Sequence, residues 1–394
     1  MKLILKLLAG IVAGIGIGLL VNEAIMEYIV TFKMIFGEFL TYIVPFIILF
    51  FITSGISSMG KNSEKVLGLT AGFAYGSTVI AGVLAFVIAT LILPMFLDGT
   101  APAISDENGF SALFEFAIDP AMGIITALVT AFIFGIGIAS TNATTLKSFF
   151  DEGKNLIEKF LWGVIIPLLP FYIGSIFAEL AAEGTVWETL GSFGIVLLLA
   201  LATHWLYLIG AFSIAGGLTG RNPFSLIKTM LPAYFTGIGT MSSAATIPVT
   251  TEQIKRNKVA DAIADSIAPL CANIHLAGST ITITMASMTV MMLFGDLATP
   301  TFGMIFPFIL GLGVIMIAAP GVPGGAIIAA SGLLTSMLGF NEAAIGIMIA
   351  IYMAQDSLGT GCNVTGDGAI ALAVSRFVSR GKREDSNENV AVGK

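Results

Sequence analysis

The sequence predicts an all-α polytopic membrane protein with eight transmembrane helices and two re-entrant helical hairpins. Composition comes first: of 394 residues, 56% are hydrophobic and only 11% charged, where a soluble domain carries about a quarter charged residues. Apolar runs long enough to cross a bilayer, about 20 residues each, recur along the chain. The loops between them alternate between acidic and basic. Gly is abundant at 45 residues, as expected where helices pack closely or break inside a membrane.

The first run starts Met1-Lys-Leu-Ile-Leu-Lys6 and stays apolar to Val21. It is longer than a signal-peptide core, and no small-residue cleavage site precedes Asn22, so it is read as the first span, 3–21. The next spans are expected at 34–57, 66–97, 120–139, 160–181 and 189–216, and the last two at 258–294 and 341–376. Loop 98–119 carries Asp98, Asp106, Glu107, Glu115 and Asp119 and no Lys or Arg, which reads as a solvated outer loop. Stretch 140–159 carries Lys147, Lys154 and Lys159 and is read as an inner loop. With the N-terminus inside, Lys2, Lys6, Lys61, Lys65, Arg221, Lys228 and the tail bases Arg376, Arg380, Lys382 and Arg383 share the cytoplasmic side.

Two apolar stretches, 224–251 and 299–339, remain. If the first crossed the membrane, Lys255, Arg256 and Lys258 would sit outside, against the bias of every other loop. If it enters from the cytoplasm and returns, Lys33 is the one outer base among 18 Lys and Arg. The second must then re-enter from outside to leave the basic tail within. Both have breaker-rich tips, Gly237-Ile-Gly-Thr-Met-Ser-Ser-Ala-Ala-Thr-Ile-Pro248 and Ala319-Pro-Gly-Val-Pro-Gly-Gly325. Irregular backbone at membrane depth survives only inside protein or along a watery cavity, and paired interruptions in a membrane chain point to a transport site.

The most polar part of the last span is Gln355-Asp-Ser-Leu-Gly-Thr-Gly-Cys-Asn-Val-Thr-Gly-Asp367. A carboxylate at membrane depth costs several kcal/mol unless partnered. At about 100° per residue, Asp356, Thr360, Asn363 and Asp367 fall at roughly 0°, 40°, −20° and 20° and form one stripe. Ile349, Tyr352, Met353, Ala369 and Ile370 are read as the opposite side, so the stripe faces a protected interior. It is read as the wall of a solute and cation site. Half-helix ends at the two tips would add free N–H groups for a carboxylate and free carbonyls for a cation.

The order of a hairpin with Ser-Ser-Ala-Ala-Thr-Ile-Pro-Val-Thr, an interrupted helix, a second hairpin with Gly-Val-Pro-Gly-Gly, and a final helix carrying Asp356, Thr360, Asn363 and Asp367 resembles the dicarboxylate/amino acid:cation symporter family, the glutamate transporter homologues. The resemblance covers about 224–378, and Gln355-Asp356-Ser357 with Ile281-Thr-Ile-Thr284 is closest to the sodium-coupled serine/threonine branch. It implies the family's fold, sodium as coupling cation, a homotrimer in the cell membrane with both termini cytoplasmic, and an elevator mechanism. In that mechanism the hairpins and last two helices of 222–378, which form the substrate and cation site, move against a scaffold within 1–221, whose six helices also include part of the moving domain. The terminal stretch 379–394 reads from its polarity as a disordered cytoplasmic tail.

The resemblance also implies roles. Asp356 would receive a substrate ammonium, Thr360 would add a hydroxyl and Asn363 would hold the substrate carboxylate. Ser242 and Ser243, with backbone at Gly321, Val322, Pro323 and Gly324, would complete the cradle. Asp367 would bind sodium, joined by carbonyls at Asn363 and near Asn273 to Ala277. Departures from the family pattern matter as much. Members that take acidic amino acids carry an arginine where this chain has Gly359 or Met241, so a second substrate carboxylate would lack its bidentate partner. That favours serine, threonine or alanine, and leaves a dicarboxylate or acidic amino acid symporter as the alternative. Where the family has Asn-Met-Asp-Gly-Thr, this chain has His275-Leu-Ala-Gly-Ser279. Ala277 removes one cation ligand, and His275 brings an imidazole compatible with proton coupling. Tyr75, Ser77 and Thr78 are candidates for a residual cation site.

Other residues read as structural: His204 as a core or interfacial residue, Cys271 and Cys362 as packing, Asp261 and Asp265 as helix-end groups. No phosphate-binding Gly-Lys-Ser/Thr loop, transition-metal spacing, nucleophile motif or basic nucleic-acid patch occurs, so an enzyme is not expected. An ion channel would need a polar lining through several spans, and outside the last helix and the tips the spans are almost wholly apolar.

Overall fold

The computed structural model describes residues 2–58, 64–97, 110–317, 319 and 323–392. Among these the chain is helical, in the order α1 Lys2–Leu20, α2 Glu23–Ser58, α3 Glu64–Ile92, α4 Ile124–Thr141, α5 Thr144–Phe160, α6 Ile166–Ala182, α7 Val186–Thr219, α8 Pro223–Thr240, α9 Ser243–Arg256, α10 Asp261–Ile274, α11 Ala277–Leu293, α12 Phe302–Met316, α13 Gly325–Leu338 and α14 Glu342–Val392. Among the described residues seven helical segments are long and apolar enough to cross a membrane, and Leu5–Leu20 is a shorter apolar one.

Helices α1, α2 and α4 to α6 pack on one another. The contact of α1 with α6 is built on glycine: a Cβ added at Gly10, Gly14 or Gly18 would lie 2.3, 2.1 or 2.0 Å from the carbonyl oxygens of Pro170, Gly174 and Ala178. The two backbones therefore touch, the close approach that small residues permit between membrane helices. Lys33 on α2 pairs with Glu179 on α6, which gives that buried base its counter-charge.

The expected inner loop 140–159 is instead mostly helix. Thr144–Phe160 turns Phe150 and Ile157 inward and runs through a π-helical turn, Leu161–Ile165, into α6. Helical spacing of Leu146, Phe149, Phe150, Leu156, Ile157 and Phe160 outweighs the charges, and Gly153 lets the Phe50 ring of α2 press against the helix. Residues 98–109 of the expected outer loop lie outside the described residues. Its later part is tied to α2, where the Thr31 hydroxyl and the Glu38 carboxylate accept the backbone N–H groups of Leu113 and Ile118, each at 2.9 Å.

The remaining elements, α3 and α7 to α14, gather around α11 and α14. Helices α8 and α9 pack as one hairpin and α12 and α13 as another. With 18, 14, 15 and 14 residues, their arms span about 21–27 Å at 1.5 Å per residue, less than a hydrocarbon core. Helix α11 is buried along nearly its whole length despite its hydroxyls. Thr280, Ser287 and Thr289 donate to carbonyls one turn back, at 2.7–3.0 Å, so these three hydroxyls are satisfied within the helix, whereas that of Thr284 is buried without a partner.

Asp265, expected to cap or hydrate the helix end, pairs with Lys255 at 2.7 Å and ties α10 to α9. The backbone of α14 continues as helix to Val392, so the tail expected to be disordered from 379 is helical through that residue. No Pro or Gly interrupts 382–392, and an existing helix propagates at small cost per residue.

Candidate functional site

Three chain breaks meet at α14. The first hairpin turns in two residues: Met241, at φ 53°, closes α8 in the left-handed region, and Ser242 caps α9 by accepting the Ala245 N–H at 3.2 Å. The second hairpin enters α13 through Gly324 at φ 75°. Glycine suits that conformation, and the Met353 sulfur lies 2.5 Å from where a Cβ would sit. The third break is His275-Leu276, between α10 and α11.

Asp356 is buried, and its Oδ2 accepts the backbone N–H of Gly324 at 2.9 Å. The tip of the second hairpin is thereby fastened to the last helix. The Tyr352 hydroxyl donates to Ser279 Oγ at 2.9 Å, on the same side of the helix as Asp356. Tyr352 therefore belongs to the polar face and not to the opposite one: it stands one turn before Asp356, at roughly −40° on the helical wheel, and Ile349, Met353 and Ile370, at roughly 20°, 60° and −40°, are not opposite either, which leaves Ala369 at roughly −140°. Thr360 donates to the Asp356 carbonyl at 2.8 Å.

Asn363 is engaged within the protein. Its Oδ1 accepts the N–H groups of Gly278 at 2.7 Å and Ser279 at 3.4 Å, and its Nδ2 donates to Ser279 Oγ at 3.2 Å. The side chain caps the freed N-terminus of α11. Gly278 permits this, because a Cβ there would meet Gly359 O at 2.5 Å and Asn363 Oδ1 at 3.1 Å. Next to Asp356, Gln355 turns away and donates to Leu197 O on α7 at 2.8 Å.

A cavity of about 30 Å³ lies between the tips and α14. Asp356, Thr360, Asn363, Ser242 and Ser243 line it together, with Tyr352 and Ser279 from outside the predicted set and Met241, Ala272, Leu276, Ala319 and Ala326 as apolar wall. Asp356 is its one charged residue among the described residues. The volume admits about one or two water molecules. Gly321 and Val322 lie outside the described residues, and Pro323 is half-buried beside Gly324.

Asp367 sits elsewhere, in a second buried centre. His275 Nδ1 lies 2.8 Å from Asp367 Oδ1, while Nε2 faces the hydroxyls of Tyr207 at 3.1 Å and Ser77 at 3.3 Å, themselves 2.6 Å apart. Asp367 Oδ2 is buried with no hydrogen-bond partner. A bare carboxylate oxygen is a fitting hard donor for a desolvated alkali cation. Thr78 is buried on α3 with its hydroxyl also unpartnered. Tyr75 donates instead to Leu310 O at 3.3 Å. Asn273 does not join by its side chain, which is exposed and donates to Pro269 O at 2.8 Å. His204 is a core residue whose Nε2 bonds the Gly278 carbonyl at 3.0 Å, bracing the α11 break from α7.

Apolar helices, two short helical hairpins, a broken helix and buried carboxylates at their junction define a multi-pass membrane transporter. The model of the sodium:dicarboxylate symporter family matches residues 3–377, and the chain belongs to that family, one of transporters and not enzymes. Among curated relatives, excitatory amino acid transporter 1 of Ambystoma tigrinum is 29% identical over 71% of this chain and 49% of its own length. The Homo sapiens protein of that name is 25% identical over 76% and 53%. Neutral amino acid transporter B(0) of Oryctolagus cuniculus is 23% identical over 67% and 49%. The chain thus spans about half the length of the curated relatives it matches.

Proposed function

We propose that this protein is a secondary active symporter that imports a small neutral amino acid, with serine, threonine and alanine as first candidates, coupled to sodium. The observation that carries the reading is the lining of the cavity between the tips: among the described residues, one carboxylate, Asp356, several hydroxyls, and no Lys, Arg or His. A buried carboxylate suits an ammonium, and an acidic substrate would bring a second carboxylate with no guanidinium to meet it.

In this reading the substrate ammonium takes the place of the Gly324 N–H on Asp356, and the substrate carboxylate lies at the N-terminus of α9 beside Ser242 and Ser243. Asn363 shapes the pocket by holding α11 and has a second amide N–H to offer. The small volume requires the hairpin tips to part for entry. Release of Gly324 from Asp356 links that opening to occupancy. Sodium binds at Asp367. The moving unit is the hairpins with α10, α11 and α14, sliding as an elevator against a scaffold that trimerises in the cell membrane, with both termini cytoplasmic.

The second reading, an acidic amino acid or dicarboxylate carrier, draws on the family's description and on relatives called excitatory amino acid transporters. Uptake of radiolabelled serine into proteoliposomes under an inward sodium gradient, with a potassium control and unlabelled threonine, alanine, glutamate and succinate as competitors, separates the two. Sodium-dependent accumulation blocked by threonine supports the neutral reading. Block by glutamate or succinate alone overturns it.

A further inference from the structure

We infer that His275 is a positioning residue that sets how this chain holds its coupled cation: it takes one oxygen of Asp367 for itself and leaves sodium the other. The inference rests on the proposal that sodium binds at Asp367, and it concerns how tightly. The two residues are 92 positions apart and both almost fully buried, with His275 side-chain exposure of 0% and Asp367 of 1%. So close a contact between groups from two elements is fixed by packing, and two further elements complete it.

Hydrogen-bond direction can be assigned at the carboxylate. Asp367 only accepts, so His275 Nδ1 carries the proton and donates to Oδ1. Nε2 of a neutral ring then accepts from one of the two hydroxyls beside it, Tyr207 or Ser77, which bond each other. Each of these groups is satisfied with a neutral imidazole. The relay runs from α3 through α7 and the α10/α11 break to α14, and it ends on one carboxylate oxygen. Oδ2 alone remains unpartnered.

A carboxylate that already accepts a donor at 2.8 Å offers a cation less charge and one fewer oxygen than a free one. The ring also occupies the approach to Asp367 from the break, where its Cε1 lies 2.9 Å from the place a Cβ on Gly366 would take. Sodium at Asp367 is therefore bound through a single carboxylate oxygen, and weakly. The other titratable groups facing this centre are Tyr207, Cys271 and Cys362, and none supplies a further anionic ligand.

The test is sodium binding by the purified full-length protein, read as sodium-dependent thermal stabilisation against choline at constant ionic strength, without substrate. His275→Asn frees Oδ1 and is expected to lower the half-maximal sodium concentration about tenfold, the worth of one charge-assisted hydrogen bond. An unchanged or higher midpoint, or loss of the response, overturns the inference. If that variant does not fold, Tyr207→Phe keeps the ring but removes the hydroxyl that orients it, and a fall of about threefold is expected. No shift there overturns it equally. Asp367→Asn and serine uptake run in parallel. A sodium response that survives Asp367→Asn, with uptake intact, refutes the Asp367 assignment itself, whereas an unshifted His275→Asn midpoint refutes only the role given to His275.

Discussion

Asp356 on the last helix and Gly324 at the tip of the second hairpin are joined by a 2.9 Å hydrogen bond from the Gly324 N–H to Oδ2 of the carboxylate. Gly324 holds φ 75°, with Met353 beneath it, so the N–H is aimed by backbone geometry that other residues adopt only under strain. In the proposed function a substrate ammonium competes for the same oxygen. Binding and hairpin opening then share one acceptor, which couples them without a further device.

Asp356→Asn keeps an oxygen that can accept from Gly324 but loses the charge that attracts an ammonium. Uptake should fall by about a hundredfold or more, while the thermal midpoint in detergent stays near that of the unsubstituted protein. Normal uptake by a well-expressed variant would remove Asp356 from the site.

Tyr352→Phe removes the hydroxyl that lines the cavity with Asp356 and donates to Ser279 Oγ at 2.9 Å. With one hydrogen bond lost, KM for serine should rise about tenfold, with a smaller change in maximal rate. Concentration-dependent uptake in proteoliposomes measures both. An unchanged KM would mean that the hydroxyl serves packing alone.

Gly359→Arg adds the guanidinium whose absence argues against acidic substrates. A Cβ at Gly359 meets its nearest neighbours at 3.7 Å, an ordinary contact, so the backbone has room for the change. The ratio of aspartate to serine uptake should rise about tenfold or more. Competition between the two labelled substrates reads the ratio.

Gly14→Val places a Cβ 2.1 Å from Gly174 O and must pry α1 from α6, at a cost of about 3 kcal/mol. At Gly16 a Cβ meets nothing within 4 Å, so Gly16→Ala should be neutral or stabilising by up to about 1 kcal/mol. Thermal unfolding in detergent compares the pair, two residues apart on one helix. Equal effects would contradict the backbone contact of α1 with α6.

Much of this arrangement is legible in the residues. Breaker clusters at 237–248 and 319–325 mark hairpin tips because Gly, Pro and Ser interrupt otherwise apolar helices, and the stripe through Asp356 and Asp367 follows from helical spacing. What the spacing does not carry is how the stripe divides. Asp356 turns to the hairpin tip and Asp367 to His275, a split that depends on contacts 32 and 92 residues apart. Asn363 caps α11 because the break frees N–H groups at Gly278 and Ser279, a tertiary demand with no local signal. Tyr352 and α5 are different: the wheel angle of the first and the apolar periodicity of the second were both present, outweighed by an aromatic ring and by three lysines.

The most direct test of the account is an experimental structure of the protein with L-serine and sodium. The account predicts serine between the hairpin tips with its ammonium about 3 Å from the Asp356 carboxylate, its carboxylate at the start of α9, and the Gly324 N–H no longer on Oδ2. Serine bound elsewhere, or the Asp356 to Gly324 hydrogen bond intact beside a bound substrate, would contradict it.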